Sequence, residues 1–187
     1  MARNARKSGR RLRTVLVAGA VLVPVLAGSA YATRATTEDA KRSGYASCLN
    51  GVEREFLTLI NNYRKQHGKP VLKASKALNR ASYFHGLDMG KRNYFSHDTP
   101  EGKDPWKRMA EQGYDYNTAK AENIAAGNAS AKATFEQWRT SAGHNANMLN
   151  GDLRAIGIGR AIAPGSKFRY YWVNTFGGQV DAAPKCG

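Results

Sequence analysis

Cysteine is almost missing from this sequence: Cys48 and Cys186 are the only two among 187 residues. That scarcity excludes a disulfide-dense mini-scaffold and a four-cysteine zinc module. Long apolar runs are lacking too. None approaches the roughly 20 residues that a membrane-spanning helix needs, which excludes a polytopic membrane protein. Acidic residues are few, with 14 Asp and Glu against 29 Lys and Arg, for a formal charge of +15. Histidine occurs only four times. What remains is ordinary: 42% hydrophobic and 10% aromatic residues are too many for a disordered chain. The length suits one domain with a sizeable core.

The basic excess begins at the N-terminus. Arg3, Arg6, Lys7, Arg10, Arg11 and Arg13 precede an apolar stretch from Val15 to Ala27, followed by Ser29-Ala-Tyr-Ala32. A basic head, a short apolar centre and small residues at Ala30 and Ala32 describe a secretory signal peptide over residues 1–32. An uncleaved anchor is the alternative, but the run is short and interrupted by Pro24. Arg10-Arg11 is a weak hint of a twin-arginine route. Removing these 32 residues and their six positive charges leaves 155 residues and lowers the charge from +15 to +9. An exported protein, outside the cell or in its envelope, is therefore expected, without a transmembrane segment in its mature form. The remaining charge is spread along the chain rather than gathered into a stripe with interleaved aromatics, so nucleic acid is not an expected partner. Loose attraction to anionic envelope polymers or lipid head groups is a secondary expectation.

Residues 33–47 are polar and aperiodic and read as a linker. The domain is expected over residues 48–187. In an exported chain the isolated pair Cys48 and Cys186 reads as a disulfide that closes nearly the whole of it. Four helices are predicted. Val52, Phe56, Leu59, Ile60 and Tyr63 share one helical face, and Gly68 and Pro70 end that helix. Ser75 caps a second, in which Leu78, Ala81, Ser82, His85 and Met89 mark one face as far as about Asn93. Asp104-Pro105 opens a short third helix that stops at Gly113. Ser130 opens a fourth, carrying Phe135 and Trp138 to about Thr140. Residues 155–163 and 168–176 alternate as strands around Pro164-Gly-Ser-Lys167, a β-hairpin. Helices followed by a terminal hairpin imply an α+β fold.

Of the histidines, His67 reads as a solvated helix-end residue and His85 as a satisfied core residue. His97 lies in a loop dense in turn formers and flanked by aromatics. His144 follows a glycine expected to end a helix. Between them Glu122 interrupts a small and apolar run, and a carboxylate in such surroundings is costly unless paired. A pocket shared by Glu122 and a histidine is one reading and independent placement the other. No HxxxH or HxxEH spacing marks a metal site.

Six segments in order resemble the CAP superfamily (cysteine-rich secretory proteins, antigen 5 and pathogenesis-related proteins), also called SCP-like extracellular domains, and in particular its short bacterial branch. They are Leu59-Ile-Asn-Asn-Tyr-Arg64, Tyr94-Phe-Ser-His97, Glu122-Asn-Ile-Ala125, Trp138 with Ser141-Ala-Gly-His144, Ile156-Gly-Ile-Gly159 and Tyr171-Trp-Val-Asn-Thr-Phe176. The resemblance covers about residues 53–178. It implies a three-layer α-β-α sandwich with a central antiparallel sheet and a solvent-open cleft; a monomer is expected. In many members two histidines and two acids line that cleft and bind a divalent metal such as Zn²⁺. Carried over, the histidines are His97 and His144 and the first acid is Glu122. The second acid is replaced by Ser141, and Asn145 stands where arginine commonly follows the glycine-histidine pair. Glu136 precedes Trp138 by two residues and would point about 200° away from it on a helix.

Three functions fit that inventory. In the first, the domain is a binding module whose cleft takes a metal, a lipid or an envelope ligand, with His97, His144 and Glu122 as metal ligands. In the second it is a hydrolase, using a metal-activated water or Ser141 with His144; no G-x-S-x-G elbow is present. In the third the polar cluster is a structural clamp. Trp106, Trp138 and Trp172 are expected in the core or cleft wall and Asn123 on the loop backbone; Arg108, on the short helix beside the cleft loop, reads as solvated, with orientation of a carboxylate as the alternative. Gly157 and Gly159 are expected to permit close packing of a strand.

Overall fold

Helix propensity and capping set the local structure, and a computed structural model describes residues 46–184 and 186. Among the described residues, α1 (Gly51–Gln66) starts with a capping box between Asn50 and Glu53. Helix α2 (Lys76–Arg92) is capped by Ser75 and ends at Asn93 in the left-handed conformation. Helix α3 (Pro105–Glu111) has Asp104 as its cap and proline at its first turn. Helix α4 (Ala131–Arg139) is capped by Ser130. All four match the sequence expectation. A fifth, α5 (Ala142–Leu149), is an addition: Gly143 lies inside it rather than ending its predecessor.

The strands are β1 (Lys73–Ala74), β2 (Lys120–Ala126), β3 (Ala155–Ile162) and β4 (Tyr170–Gly177), in the order β1-β3-β4-β2. Strands β3 and β4 form the expected antiparallel hairpin, and β2 adds to it antiparallel. The two-residue β1 joins in parallel, so the sheet is antiparallel only in its three long strands. Helix α2 covers one face, while α1, α4 and α5 pack on the other, giving the three layers. Phe56, Trp138 and Trp172 meet edge-on or tilted at the centre of the second face, with ring centroids 5.3 and 5.8 Å from Phe56.

Strand β3 lies so close to α2 that its glycines are required. A Cβ on Gly157 would sit 2.1 Å from the backbone of Leu78, and one on Gly159 2.4 Å from that of Tyr83. Arg64 is fully buried and donates to the carbonyls of Pro70, Met148, Asn150 and Leu153, tying α1 to the end of α5. Burial pulls its pKa down to about 10.

Cys48 and Cys186 are bonded, with Cα atoms 5.8 Å apart across 138 residues. The chain-entropy view credits so long a loop with about 4–5 kcal/mol. The expected signal peptide, and the linker up to residue 45, lie outside the described residues. Ala46 and Ser47 are helical and buried, and the Ser47 carbonyl accepts from Asn79. No described helix is long and apolar enough to cross a membrane.

Candidate functional site

The site is built across β2, one of the two edge strands of the sheet. Side chains alternate along a strand, so Glu122 and Asn123 face opposite layers. Glu122 pairs in register with Thr175, on the α2 face, where the Thr175 hydroxyl donates to the Leu78 carbonyl. Asn123 pairs with Asn174, on the face of α5. The outward carbonyls of β2 are covered as well. Glu122 O accepts from Asn147 Nδ2 at 3.3 Å, and Ile124 O accepts from Trp138 Nε1 at 3.2 Å. An edge that could pair with another chain is thereby closed by side chains of α4 and α5.

The Glu122 side chain is 2% exposed. Its Oε1 accepts from His97 Nδ1 at 2.8 Å and its Oε2 from Arg108 Nη2 at 2.7 Å. Arg108 is 9% exposed, and its Nη1 also donates to the carbonyls of His97 and Lys103. Its expected solvation is thus corrected: α3 projects Arg108 inward, where the buried carboxylate and two loop carbonyls together offset its desolvation. His97 itself is half exposed, at 51% of its side chain. Its Nδ1 is held by Glu122, and its Nε2 has no hydrogen-bond partner among the described residues.

His144 is held differently. Its carbonyl accepts from Asn123 Nδ2 at 3.0 Å, and Asn147 Nδ2 in turn donates to Asn123 Oδ1 at 2.8 Å. The His144 ring meets Ser141 Oγ through Nδ1 at 2.9 Å. Ser141 is the N-cap of α5, yet makes no capping bond with its side chain. The imidazole takes the hydroxyl that would ordinarily bond to the first-turn amides. Partial burial, and then the nearby charge of His97, push the His144 pKa below its ordinary value. The two histidines therefore share one electrostatic environment.

The structure brings together His97, Glu122, Ser141 and His144, the four residues singled out in sequence, and adds Arg108, Asn123 and Asn147. Glu122 is not free: both of its oxygens are engaged, and no group of three His, Cys, Asp or Glu residues able to hold a metal ion occurs among the described residues. Glu136 turns away to pair with Arg139 at 2.8 Å. Asn145 accepts from the Tyr63 hydroxyl at 3.0 Å. His67 is the exposed C-cap of α1, while His85 is buried. Trp138 and Trp172 are core, whereas Trp106 is 43% exposed on α3. For Arg108 the structure favours the alternative reading, orientation of a carboxylate, over solvation. The only signal was its place on a short helix beside the His97 loop.

Comparison with known proteins follows the same outline. A 113-residue stretch is 32% identical to the uncharacterized protein YkwD of Bacillus subtilis, covering 60% of this chain and 44% of that one. A 107-residue stretch is 33% identical to the uncharacterized membrane protein YlbC of the same organism, covering 57% of this chain and 31% of the relative. This chain thus spans less than half the length of either. Among solved structures, an extracellular protein containing an SCP domain from Bacillus anthracis superposes with a TM-score of 0.61 at 28% identity, over 70% of this chain and 41% of that one. An outer surface protein from Borrelia burgdorferi superposes equally well, with a TM-score of 0.61 at 20% identity, over 68% of this chain and 92% of that one, and shares the fold. The family model described as CAP, the cysteine-rich secretory protein family, matches residues 57–176. The chain belongs to the CAP family of cysteine-rich secretory proteins.

Proposed function

We propose that this protein is a binding module of the extracellular or envelope space whose cleft takes a divalent metal, zinc being the natural candidate, on His97 and His144. One observation carries the reading: each imidazole already has its Nδ1 held by an oxygen, Glu122 Oε1 for His97 and Ser141 Oγ for His144. Metal-ligating histidines are ordinarily oriented in this way, with the far ring nitrogen bonded to a carboxylate or another oxygen and the near one turned to the metal. Glu122 then acts behind His97 instead of as a ligand, because Arg108 occupies its other oxygen. Two imidazoles leave the remaining positions of a tetrahedral ion to water or to the donor atoms of a ligand. When bound, the metal would supply a Lewis-acidic anchor for such a ligand. The location outside the cell rests on the basic and apolar N-terminus, the disulfide and relatives described as extracellular or outer-surface proteins.

The hydrolase alternative has one observation in its favour, the Ser141–His144 hydrogen bond. No carboxylate holds the other nitrogen of that ring among the described residues, so the third member that orients a catalytic base is missing. The binding reading therefore stands first. Calorimetric titration of the purified protein with zinc tests it. Saturable binding should disappear in His97→Ala and His144→Ala, and weaken about 10–100-fold in Glu122→Gln. No binding to the wild type, with all three variants less stable to heat, would make the cluster a structural clamp.

A further inference from the structure

The turn of the β3–β4 hairpin carries features that the histidine cleft does not use. No acidic residue occurs between Asp152 and Asp181, a stretch that holds both strands and the turn. The turn folds back onto the C-terminus of α2. The Lys167 amide donates to Asn93 Oδ1 at 2.9 Å, and Phe95 meets Phe168 with ring centroids 5.9 Å apart. Helix and strand are in close contact here: a Cβ on Gly90 would lie 2.5 Å from that of Ala163. The helix end and the turn therefore present one fixed surface. It gathers three cations from two elements, Lys91 of α2 with Lys167 and Arg169 of the turn.

All three cations are exposed, and none pairs with a carboxylate among the described residues. Lys167 Nζ lies 5.1 Å from the centre of the Phe168 ring and Arg169 Cζ 5.5 Å from that of Tyr170. Such contacts steady a side chain and leave its charge to the surroundings. Asp88, the acid of α2, is taken up by the Tyr94 hydroxyl at 2.6 Å and by Arg92. In the adjoining loop Asp98 stands unpaired among the described residues, so cations outnumber acids. Apolar groups share this surface. Ile162 is 47% exposed, Phe95 is 44% exposed, and Pro164 is open at the turn. A recess of about 460 Å³ lies between α2 and the turn, walled by Leu87, Ile162, Ala163 and Pro164, with Lys91 as the one charge in its lining. A hydrophilic polyanion would match the cations and leave the apolar groups in water. A bilayer boundary matches both, with phosphates for the cations and the edge of the acyl layer for the apolar groups.

We propose that the hairpin turn and the end of α2 dock on an anionic lipid bilayer, with Ile162, Pro164 and Phe95 at the acyl boundary and Lys91, Lys167 and Arg169 on head-group phosphates. The test uses the full chain with a local readout, because the basic and apolar N-terminus would itself meet a vesicle. Cys48 and Cys186 are bonded to each other, so a polarity-sensitive fluorophore can be attached to Ile162→Cys alone. Its emission should shift to the blue, saturably, on vesicles of phosphatidylglycerol and not on vesicles of phosphatidylcholine. The shift should fade as salt is added. The same label on Lys65→Cys should not respond, since α1 starts beside Arg160 and ends beside Leu153, at the other end of β3. Lys167→Gln/Arg169→Gln should weaken the response about 25-fold, roughly fivefold for each charge. Lys91→Gln, on the helix and not the turn, should weaken it about fivefold. Absence of a shift, an equal shift on phosphatidylcholine or at Lys65, or an unchanged response in both cation variants would each overturn the proposal. An equal shift with soluble polyphosphate would overturn it too, and would make the surface a polyanion site.

Discussion

Glu122 and Asn123 are neighbours on one strand, yet they hold the two histidines His97 and His144 by different means. Glu122 grips the ring of His97 and is itself locked by a buried guanidinium. Asn123 grips only the backbone of His144 and belongs to a neutral network with Asn147. One side is charged and orients an imidazole directly. The other is made of neutral amides and positions a helix, leaving the imidazole to Ser141. The strand's two-residue period lets one edge strand assemble a site from both layers. On the charged side Glu122 and Arg108 are buried together, and ions removed from water survive only when their lone pairs and protons are matched.

Removing one partner from each side should separate the two regimes. Arg108→Met strands Glu122 and should cost about 3–5 kcal/mol in chemical denaturation. Asn123→Ala, which removes a donor from the His144 carbonyl and one of two acceptors from the Asn147 amide, should cost about 1–3 kcal/mol for the two lost bonds. Equal losses would erase the distinction between the charged and the neutral side.

Acid should act through both regions. His85, beside Arg108, and His144, beside His97, each have a pKa below the ordinary 6.5. The unfolded chain therefore takes up protons first as pH falls, and stability is lost from about pH 6.5 downward through the lower folded values. Thermal melts across that window should show the decline, and His85→Gln should flatten it. A melting temperature independent of pH between about 7 and 5 would contradict these assignments.

The smallest effect is expected at Ser141. Because its hydroxyl serves His144 instead of capping α5, Ser141→Ala should cost under about 0.5 kcal/mol. Ser130→Ala, which removes a working cap from α4, should cost about 1 kcal/mol. A larger loss at Ser141 than at Ser130 would mean that its contact with the imidazole does more than orient the ring.

How far the sequence discloses this molecule depends on whether a feature is local. Helices α1 to α4 have their caps at Asn50, Ser75, Asp104 and Ser130, and the hairpin has its alternation and turn, so their positions can be read residue by residue. The glycines of β3 could be read as sites of close approach, although the helix they meet could not be identified. Strand β2 was hidden because Ala121, Glu122, Asn123, Ile124 and Ala125 are all buried, which removes the alternation that marks a half-exposed strand. Helix α5 was hidden behind Gly143, a residue that more often ends a helix than continues one. The four cleft residues were legible chiefly because their motifs occur in family order. The pairing of Glu122 with Arg108 was not, because it joins β2 to α3 through a tertiary contact that leaves no periodicity in the chain.

The central claim is that both cleft imidazoles are held through Nδ1 and keep Nε2 for a ligand. Nitrogen NMR of the histidine rings, recorded at about pH 8 where imidazoles are neutral, tests it most directly. The account predicts Nδ1–H tautomers for His97 and His144, with both Nε2 resonances displaced on addition of zinc. Nε2–H tautomers in either ring that persist unchanged in the presence of zinc would contradict it.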